Sequence, residues 1–398
     1  MIKNLFPPLA IRGRHLLPII QGGMGVGVSA HKLAGAVAKE GAVGTIASID
    51  LRRLHPDIMA RTRGCRDRAV MDASNLEALD REIRAAREIC GPEGFIAVNV
   101  MKAVDRHADL VRQSCESGAN AIIMGAGLPL DLPDLVAGHD DVALIPILSE
   151  ERGVRAVLKR WMRKGRLPDA IVIEHPRYAG GHLGATRQEE INDPKFDFAR
   201  VFKEIRGVFE QLGIALDRIP LIGAGGINSF EKLKQLFSWG ASGAQIGTPF
   251  AVTVEGDAHP NFKRILMEAK PSDIITFMSA AGLPARAVLT PWLKRYLAKE
   301  EKLKARANPE CAECASQLEC LTYCGFKDGD SSAGQFCIEA QLSAALAGNV
   351  KSGLFFRGSE PLPFGTELRT VRELLEYLLT GVYPSTAPAV LDATPATA

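Results

Sequence analysis

Residues 219–250 read IPLIGAGGINSFEKLKQLFSWGASGAQIGTPF, and this stretch decides the fold. Two short apolar runs, 219-IPLIGA-224 and 243-GAQIG-247, flank an amphipathic segment, 229-SFEKLKQLFSWG-240. Short apolar runs bounded by glycine read as strands buried on both faces, and the segment between them has helical spacing. Strand, helix and strand in succession imply parallel pairing with a right-handed crossover. Each strand runs directly into a glycine-rich turn: Gly223-Ala224-Gly225-Gly226-Ile227-Asn228 after the first, Gln245-Ile246-Gly247-Thr248 after the second.

Working outward toward the N-terminus, the same rhythm recurs in 16-LLPIIQ-21, 42-AVGTIA-47, 95-FIAVN-99, 119-ANAIIM-124, 142-VALIPIL-148 and 170-AIVIE-174. Helical patterns lie between these runs. One covers 29–41, with Ser29 as its N-cap. Another covers 74–91, with Ser74 and Glu77 as a capping box and Gly91 as the stop. Eight strands within the first 250 residues predict an α/β protein of the (β/α)8 TIM-barrel class. A doubly wound sheet competes, because Gly25-Val26-Gly27-Val28-Ser29-Ala30 fits G-x-G-x-x-A and Asp50 follows where a ribose-binding acid would stand. The count of eight and the late position of the other glycine-rich turns favour the barrel.

Past residue 250 the rhythm breaks. Residues 251–306 read as a helical elaboration punctuated by Pro260, Pro271 and Pro284, with 291–306 as a charged surface helix. Residues 307–382 read as a Cys-rich helical appendage, and 383–398 as a flexible tail. The chain has 398 residues, 46% hydrophobic and 24% charged, with a net charge of +2. That balance argues against a nucleic-acid binder. No apolar run is long enough to cross a bilayer. The first twenty residues break their apolar stretches with Pro, Arg and His and lack a signal-peptide core, so a cytoplasmic protein is expected.

Three stretches carry chemistry. Loops after strands seven and eight of a barrel often build a phosphate site, because glycine lets backbone amides approach the oxygens. Here those loops hold Gly225, Gly226, Gln245, Gly247 and Thr248, the last with a hydroxyl donor to add. After strand six, Tyr178-Ala179-Gly180-Gly181-His182-Leu183-Gly184 places His182 at the C-terminal mouth, where a side chain that titrates near neutrality can move protons. Glu174 and His175 lie beside it and could orient a partner or simply end the strand. After strand one, Gln21-Gly22-Gly23-Met24-Gly25 lets backbone pass close to a flat ligand, and Asn99 stands as a lone amide at the end of strand three.

Together these pieces resemble the nitronate monooxygenase family, formerly called 2-nitropropane dioxygenases, and the related FMN-dependent enoyl reductases. The matching motifs are IIQGGMGVGVS, the VN of 98–99, MGAGLP at 124–129, AGGHLG at 179–184, GAGGI at 223–227 and GAQIGTPF at 243–250. The resemblance implies an FMN-binding barrel. By position, Gly22, Gly23, Met24 and Asn99 would contact the flavin. Gly180, Gly181, Gly225, Gly226, Gln245, Gly247 and Thr248 would hold the rest of it and its phosphate. His182 matches the family's active-site histidine. The implied reaction is oxidative denitrification of an alkyl nitronate by O2 to a carbonyl compound and nitrite. His182 would act as base toward a neutral nitroalkane or as a positive partner for the anion. The alternative is an NAD(P)H-dependent flavin oxidoreductase or enoyl-thioester reductase. The small-molecule substrate and O2 would be the partners, with a homodimer as the candidate assembly. Studied members have an acidic residue nearer the AGGH step, where this chain has Arg177 and Tyr178. The C-terminal extension resembles a bacterial subgroup with CLxxC followed by FCI or YCI, here Cys320–Cys324 and Phe336-Cys337-Ile338.

Five of the eight cysteines crowd into C-x2-C-x5-C-x3-C-x12-C, from Cys311 to Cys337. In a reducing compartment such clustering favours metal or packed thiols over disulfides. Cys311, Cys314, Cys320 and Cys324 are candidate ligands of a zinc ion or iron–sulfur centre; buried free thiols are the alternative. Residues 152–166 carry seven Lys or Arg side chains. They read as a solvated helix face, or as a field attracting a phosphorylated cosubstrate such as NADPH.

Overall fold

The structure, a computed structural model, describes residues 2–65, 67–309 and 320–391. Eight strands form a closed barrel: β1 (Ile19–Gln21), β2 (Val43–Ala47), β3 (Phe95–Met101), β4 (Ala121–Gly125), β5 (Ala143–Leu148), β6 (Ile171–Glu174), β7 (Leu221–Ala224) and β8 (Gly243–Ile246). Neighbours pair in parallel, and β8 pairs with β1 to close the ring. The expected (β/α)8 architecture holds, and the doubly wound alternative does not.

Alternation along the strands explains why the runs are apolar throughout. One parity points inward: Ile20, Val43, Ala97, Ile123, Ile145, Val172 and Ile222 fill the barrel. The other parity, including Ile19, Val98, Ile122, Leu144 and Ile173, packs outward against the helices. An N-terminal hairpin, Leu9–Ile11 with Arg14–Leu16, adds Leu9, Ile11 and Leu16 to the inner cluster. Each buried aliphatic side chain contributes roughly 1.5–3 kcal/mol relative to exposure.

Several local expectations change. The long helix spans Arg68–Cys90 and is capped by Asp67, whose carboxylate accepts from Ala69 and Val70. Ser74 is therefore mid-helix and buried rather than a capping residue, while Gly91 does end the helix. Ser29 caps no helix. Its hydroxyl accepts from Met24 N at 2.8 Å and so braces the first glycine-rich turn. The helix His31–Lys39 is capped from far away, by Asp257, which accepts from Ala30, Lys32 and Leu33. Asp50 is buried and held by Arg52 and Arg53 at 2.9 and 2.8 Å, so it is no ribose ligand.

Region 251–306 is only partly helical. Helix Pro260–Glu268 is followed by an antiparallel hairpin, Ile274–Met278 with Pro284–Val288, and Gly181–His182 joins it as a third strand. The β-branched and aromatic run Ile274-Ile275-Thr276-Phe277 drives this, with Gly282 turning the chain at φ +68°. Residues 291–306 form two short helices, Pro291–Leu297 and Glu300–Lys304. The appendage carries helices Ile338–Leu346 and Val371–Thr380. The first part of the expected tail is docked: Arg369 donates to Thr386 O at 2.7 Å, and Tyr383 donates to Glu367 at 3.0 Å. Residues 392–398 lie outside the described residues. The basic residues of 152–166 are partly neutralised, through Arg155–Glu151, Lys164–Asp134 and Arg166–Asp169.

Candidate active site

A cavity of about 730 Å³ opens at the C-terminal mouth of the barrel. That size suits a cofactor together with a small substrate. Its floor is the uppermost inward layer of the barrel. Strand parity places Ala47, Asn99, Gly125, Ile147, Glu174, Ala224 and Gln245 there, and all seven line the cavity. Asn99, Glu174 and Gln245 are the polar members of this layer.

The turn after β1 lies against this floor. A Cβ on Gly23 would fall 2.3 Å from Asn99 Cβ, so glycine is required for Asn99 to pack beneath it. Asn99 Nδ2 donates to Ile123 O at 3.4 Å. Gly22 donates its amide to Ile246 O at 2.8 Å, tying the first turn to β8. Gln245 Oε1 is buried and has no hydrogen-bond partner among the described residues. Such an orphan acceptor costs about 1–3 kcal/mol unless something donates to it.

The second wall is built from the turns after β6, β7 and β8. Gly225 and Gly226 have φ +97° and +79°, a region that favours glycine. A Cβ on Gly226 would also meet the Tyr178 ring at 2.9 Å. A Cβ on Gly180 would lie 2.5 Å from the backbone carbon of Arg357. The glycines therefore serve close packing of chain on chain. Thr248 Oγ1 accepts from Gly358 N at 3.0 Å, which leaves its own hydrogen free to donate. All the expected flavin residues, from Gly22 to Thr248, meet in this one cavity.

His182 sits in the wall, and the hairpin missed in the sequence holds it. It pairs with Ala285, its Nε2 is 3.0 Å from Ser279 Oγ, and its ring meets Phe356 edge-on at 5.8 Å. Burial lowers its pKa to about 4, so the imidazole is neutral at pH 7. A neutral ring can accept a proton, but it offers no standing positive charge to an anion. Glu174 goes the other way: burial alone raises its carboxyl to about 7. His175 points away from the cavity. Its Nε2 faces Asp197 at 3.4 Å and its ring packs between Tyr178 and Phe198, so its role is structural.

Residues 320–362 form the roof. Cys320, Cys324, Cys337, Phe356 and Arg357 all border the cavity. Burial pushes the Cys324 thiol up and that of Cys337 to about 11, which keeps both protonated. Cys311 and Cys314 lie outside the described residues. Among the described residues, no group of three or more His, Cys, Asp or Glu side chains is placed to hold a metal ion. Ser279, Phe356 and Arg357 were not visible as site residues in the sequence, because no motif marks a residue that reaches the site only through tertiary packing.

A closed (β/α)8 barrel with a ligand-sized cavity at its C-terminal mouth, and half-buried titratable groups lining it, has the architecture of an enzyme. The chain belongs to the nitronate monooxygenase family, whose model matches residues 13–381, and it is an oxidoreductase. It is 25% identical over 303 residues to the "Probable nitronate monooxygenase" of Bacillus subtilis (strain 168), covering 70% of this chain and 78% of that one. Its fold is like that of FabK from Thermotoga maritima, with TM-score 0.63, 22% identity and 91% of each chain covered. It is also like that of a nitroalkane oxidase from Streptomyces ansochromogenes, with TM-score 0.61 and 18% identity over 91% of this chain and 94% of that one. No helix among the described residues is long and apolar enough to cross a membrane.

Proposed function

We propose that the cavity binds FMN and that the protein oxidises alkyl nitronates to a carbonyl compound and nitrite, with O2 as oxidant. The observation that carries this reading is the floor itself. Bare glycine at Gly22 and Gly23, a lone amide at Asn99 and an orphan acceptor at Gln245 Oε1 suit a flat heterocycle with donor and acceptor edges. Gly22, Gly23, Met24, Asn99 and Gln245 would hold the ring system. Gly180, Gly181, Gly225, Gly226, Gly247 and Thr248 would hold the chain and its phosphate. When bound, FMN supplies the electron transfer between nitronate and oxygen.

The protein's own contribution is binding, orientation and proton handling. The neutral His182, fixed by Ser279, is available to take a proton from the carbon of a nitroalkane. The apolar roof around Phe356 and Leu354 excludes water from the reacting face. The family name and the relative from Bacillus subtilis both support a nitronate as substrate.

The test is reconstitution with FMN, followed by anaerobic mixing with an alkyl nitronate, NADH or NADPH while flavin absorbance is recorded. Bleaching by nitronate is the expected result. Bleaching by NADH or NADPH and not by nitronate overturns the nitronate assignment in favour of a nicotinamide-dependent flavin reductase. Failure to bind FMN overturns both.

A further inference from the structure

A strap from the appendage, Arg357-Gly358-Ser359-Glu360-Pro361, crosses the turns after β6, β7 and β8. It leaves the hairpin beside Phe356, which bridges to Ala287. Gly358 N donates to Thr248 Oγ1 at 3.0 Å, over the turn after β8. Ser359 N donates to Tyr178 O at 3.2 Å, over the turn after β6. Asn228, in the turn after β7, donates from Nδ2 to Pro361 O at 2.7 Å. The fit is tight. A Cβ on Gly358 would lie 2.9 Å from Tyr178 O, and one on Gly180 would lie 2.5 Å from the backbone carbon of Arg357. Arg357 sets the curvature of the strap. Its Nη1 donates to Gly358 O at 2.9 Å and to Glu360 O at 3.2 Å, and its Nε donates to Leu266 O at 2.9 Å. The residue is 3% exposed, yet its guanidinium meets no carboxylate among the described residues, and burial is the sole cause of its lowered pKa. A buried cation without a counter-ion is costly and favours an anion nearby. Three residues on, the Glu360 carboxylate pairs with Lys232, whose Nζ also donates to Gly226 O at 3.1 Å. Arg357, Gly358 and Glu360 all border the cavity.

We propose that this strap reads the end of the cofactor: it admits a flavin that stops at a phosphate monoester and rejects one that continues into a dinucleotide. This rests on the reading that the cavity binds a flavin with its phosphate at the turns after β7 and β8. A phosphate monoester carries about −1.5 to −2 charge near neutrality, which is the counter-charge that the fold withholds from Arg357. Arg357 is also a positioning residue, because it holds Gly358 and, through it, Thr248. Riboflavin lacks the anion and would leave the guanidinium uncompensated. Flavin adenine dinucleotide would need room for a second phosphate and a nucleoside beyond the first. The strap already lies against the turns there, and the added charge would meet the Glu360 carboxylate. Discrimination of this kind sets a repulsive element beside an attractive one.

The experiment is calorimetric titration of the flavin-free, full-length protein with FMN, FAD and riboflavin, with circular dichroism to show that each variant is folded. Wild type is expected to bind FMN about 10²-fold more tightly than either of the others. Glu360→Gln should narrow the FMN-to-FAD ratio about tenfold by tightening FAD, with FMN and riboflavin unchanged. Arg357→Met should weaken FMN about 10²-fold and riboflavin little, because only FMN carries the anion. Arg357→Lys, which keeps the charge, should restore much of the FMN-to-riboflavin ratio. FAD or riboflavin bound by wild type as tightly as FMN overturns the proposal and leaves the flavin reading intact. So does a folded Arg357→Met that loses FMN and riboflavin equally, since a merely structural strap would do that. Where Arg357→Met does not fold, Glu360→Gln decides, and an FMN-to-FAD ratio unchanged from wild type overturns the proposal. Protein that binds none of the three flavins overturns both this proposal and the reading it rests on.

Discussion

Glu82 and Glu174 are both carboxylates shielded from solvent, Glu82 buried in the helical layer outside the barrel and Glu174 half-buried on the cavity at its inner mouth. Glu82 accepts from the backbone N–H of His31 at 2.8 Å, stands 2.7 Å from His31 Nδ1 and lies 3.0 Å from His55 Nε2. Burial works to raise its pKa, and the hydrogen bonds of His31 and His55 outweigh it, leaving the group at about 2. Glu174 has the burial without the partners and is held at about 7. The first arrangement is stabilising, because a charge removed from water has been given donors. The second is destabilising and is the kind of group a reaction uses. The contrast separates a carboxylate that has been given partners from one that has none.

The comparison sharpens most at His182. His182→Ala should lower turnover with a neutral nitroalkane by about 10²–10⁴-fold, with little change in FMN affinity, as steady-state kinetics and flavin titration will show. Unchanged turnover removes the histidine from the inner set. On the outer side, Glu82→Gln should cost roughly 3 kcal/mol in urea unfolding and leave turnover near wild type, because two histidines lose their buried partner. Its pH signature has a defined sign. Glu82 is depressed from 4.5, so its contribution is present above 4.5 and lost as pH falls through about 2. His31 is raised from 6.5 by the Glu82 hydrogen bond, against burial, so its contribution is complete below 6.5 and lost as pH rises above that value. Wild type minus Glu82→Gln should therefore be largest between about 4.5 and 6.5, and a pH-independent difference would break the assignment.

The opposite sign is expected at Glu174. Its raised carboxyl weakens the fold as pH rises from 4.5 through about 7, so Glu174→Gln should be more stable than wild type at pH 8. Gly180→Ala tests the junction of wall and roof. Its Cβ would lie 2.5 Å from Arg357 backbone, and overpacking of this kind costs about 1–3 kcal/mol, read as a lowered melting temperature and weaker FMN binding. The smallest effect is Ser279→Ala. The hydrogen bond it loses to His182, worth about 1 kcal/mol, should reduce turnover several-fold, and the Ala281 N–H left without its Ser279 acceptor should lower the melting temperature slightly.

The barrel was legible because its strands are buried on both faces and each ends near glycine or a polar residue. The run 170-AIVIE-174 could be read as a strand from its apolar continuity, and strands of this type are specified locally. The hairpin 274–288 was not read, although Ile274-Ile275-Thr276-Phe277 carried a β signal, because three prolines nearby suggested irregular helix. Ser74 and Ser29 were misread for a related reason: each precedes an amphipathic pattern, but a serine side chain is drawn to whichever backbone donor tertiary packing presents. The residues expected to hold a flavin were named from the resemblance of ordered motifs, and the structure brings them into one cavity. Whether the cysteines at 311 and 314 join Cys320 and Cys324 could not be read from spacing, since a metal site depends on convergence in space.

What the sequence alone determined was the barrel and the identity of its mouth, because strand and turn signals are local and the β/α order dictates which loops meet. The tertiary structure decided the charge states within that mouth. Glu174 and His182 differ little from ordinary side chains in sequence. Only the register that turns Glu174 inward, and the hairpin and roof that bury His182 beside Ser279 and Phe356, set which of them holds a proton. Burial is a property of the whole packed molecule, and no short stretch of chain encodes it.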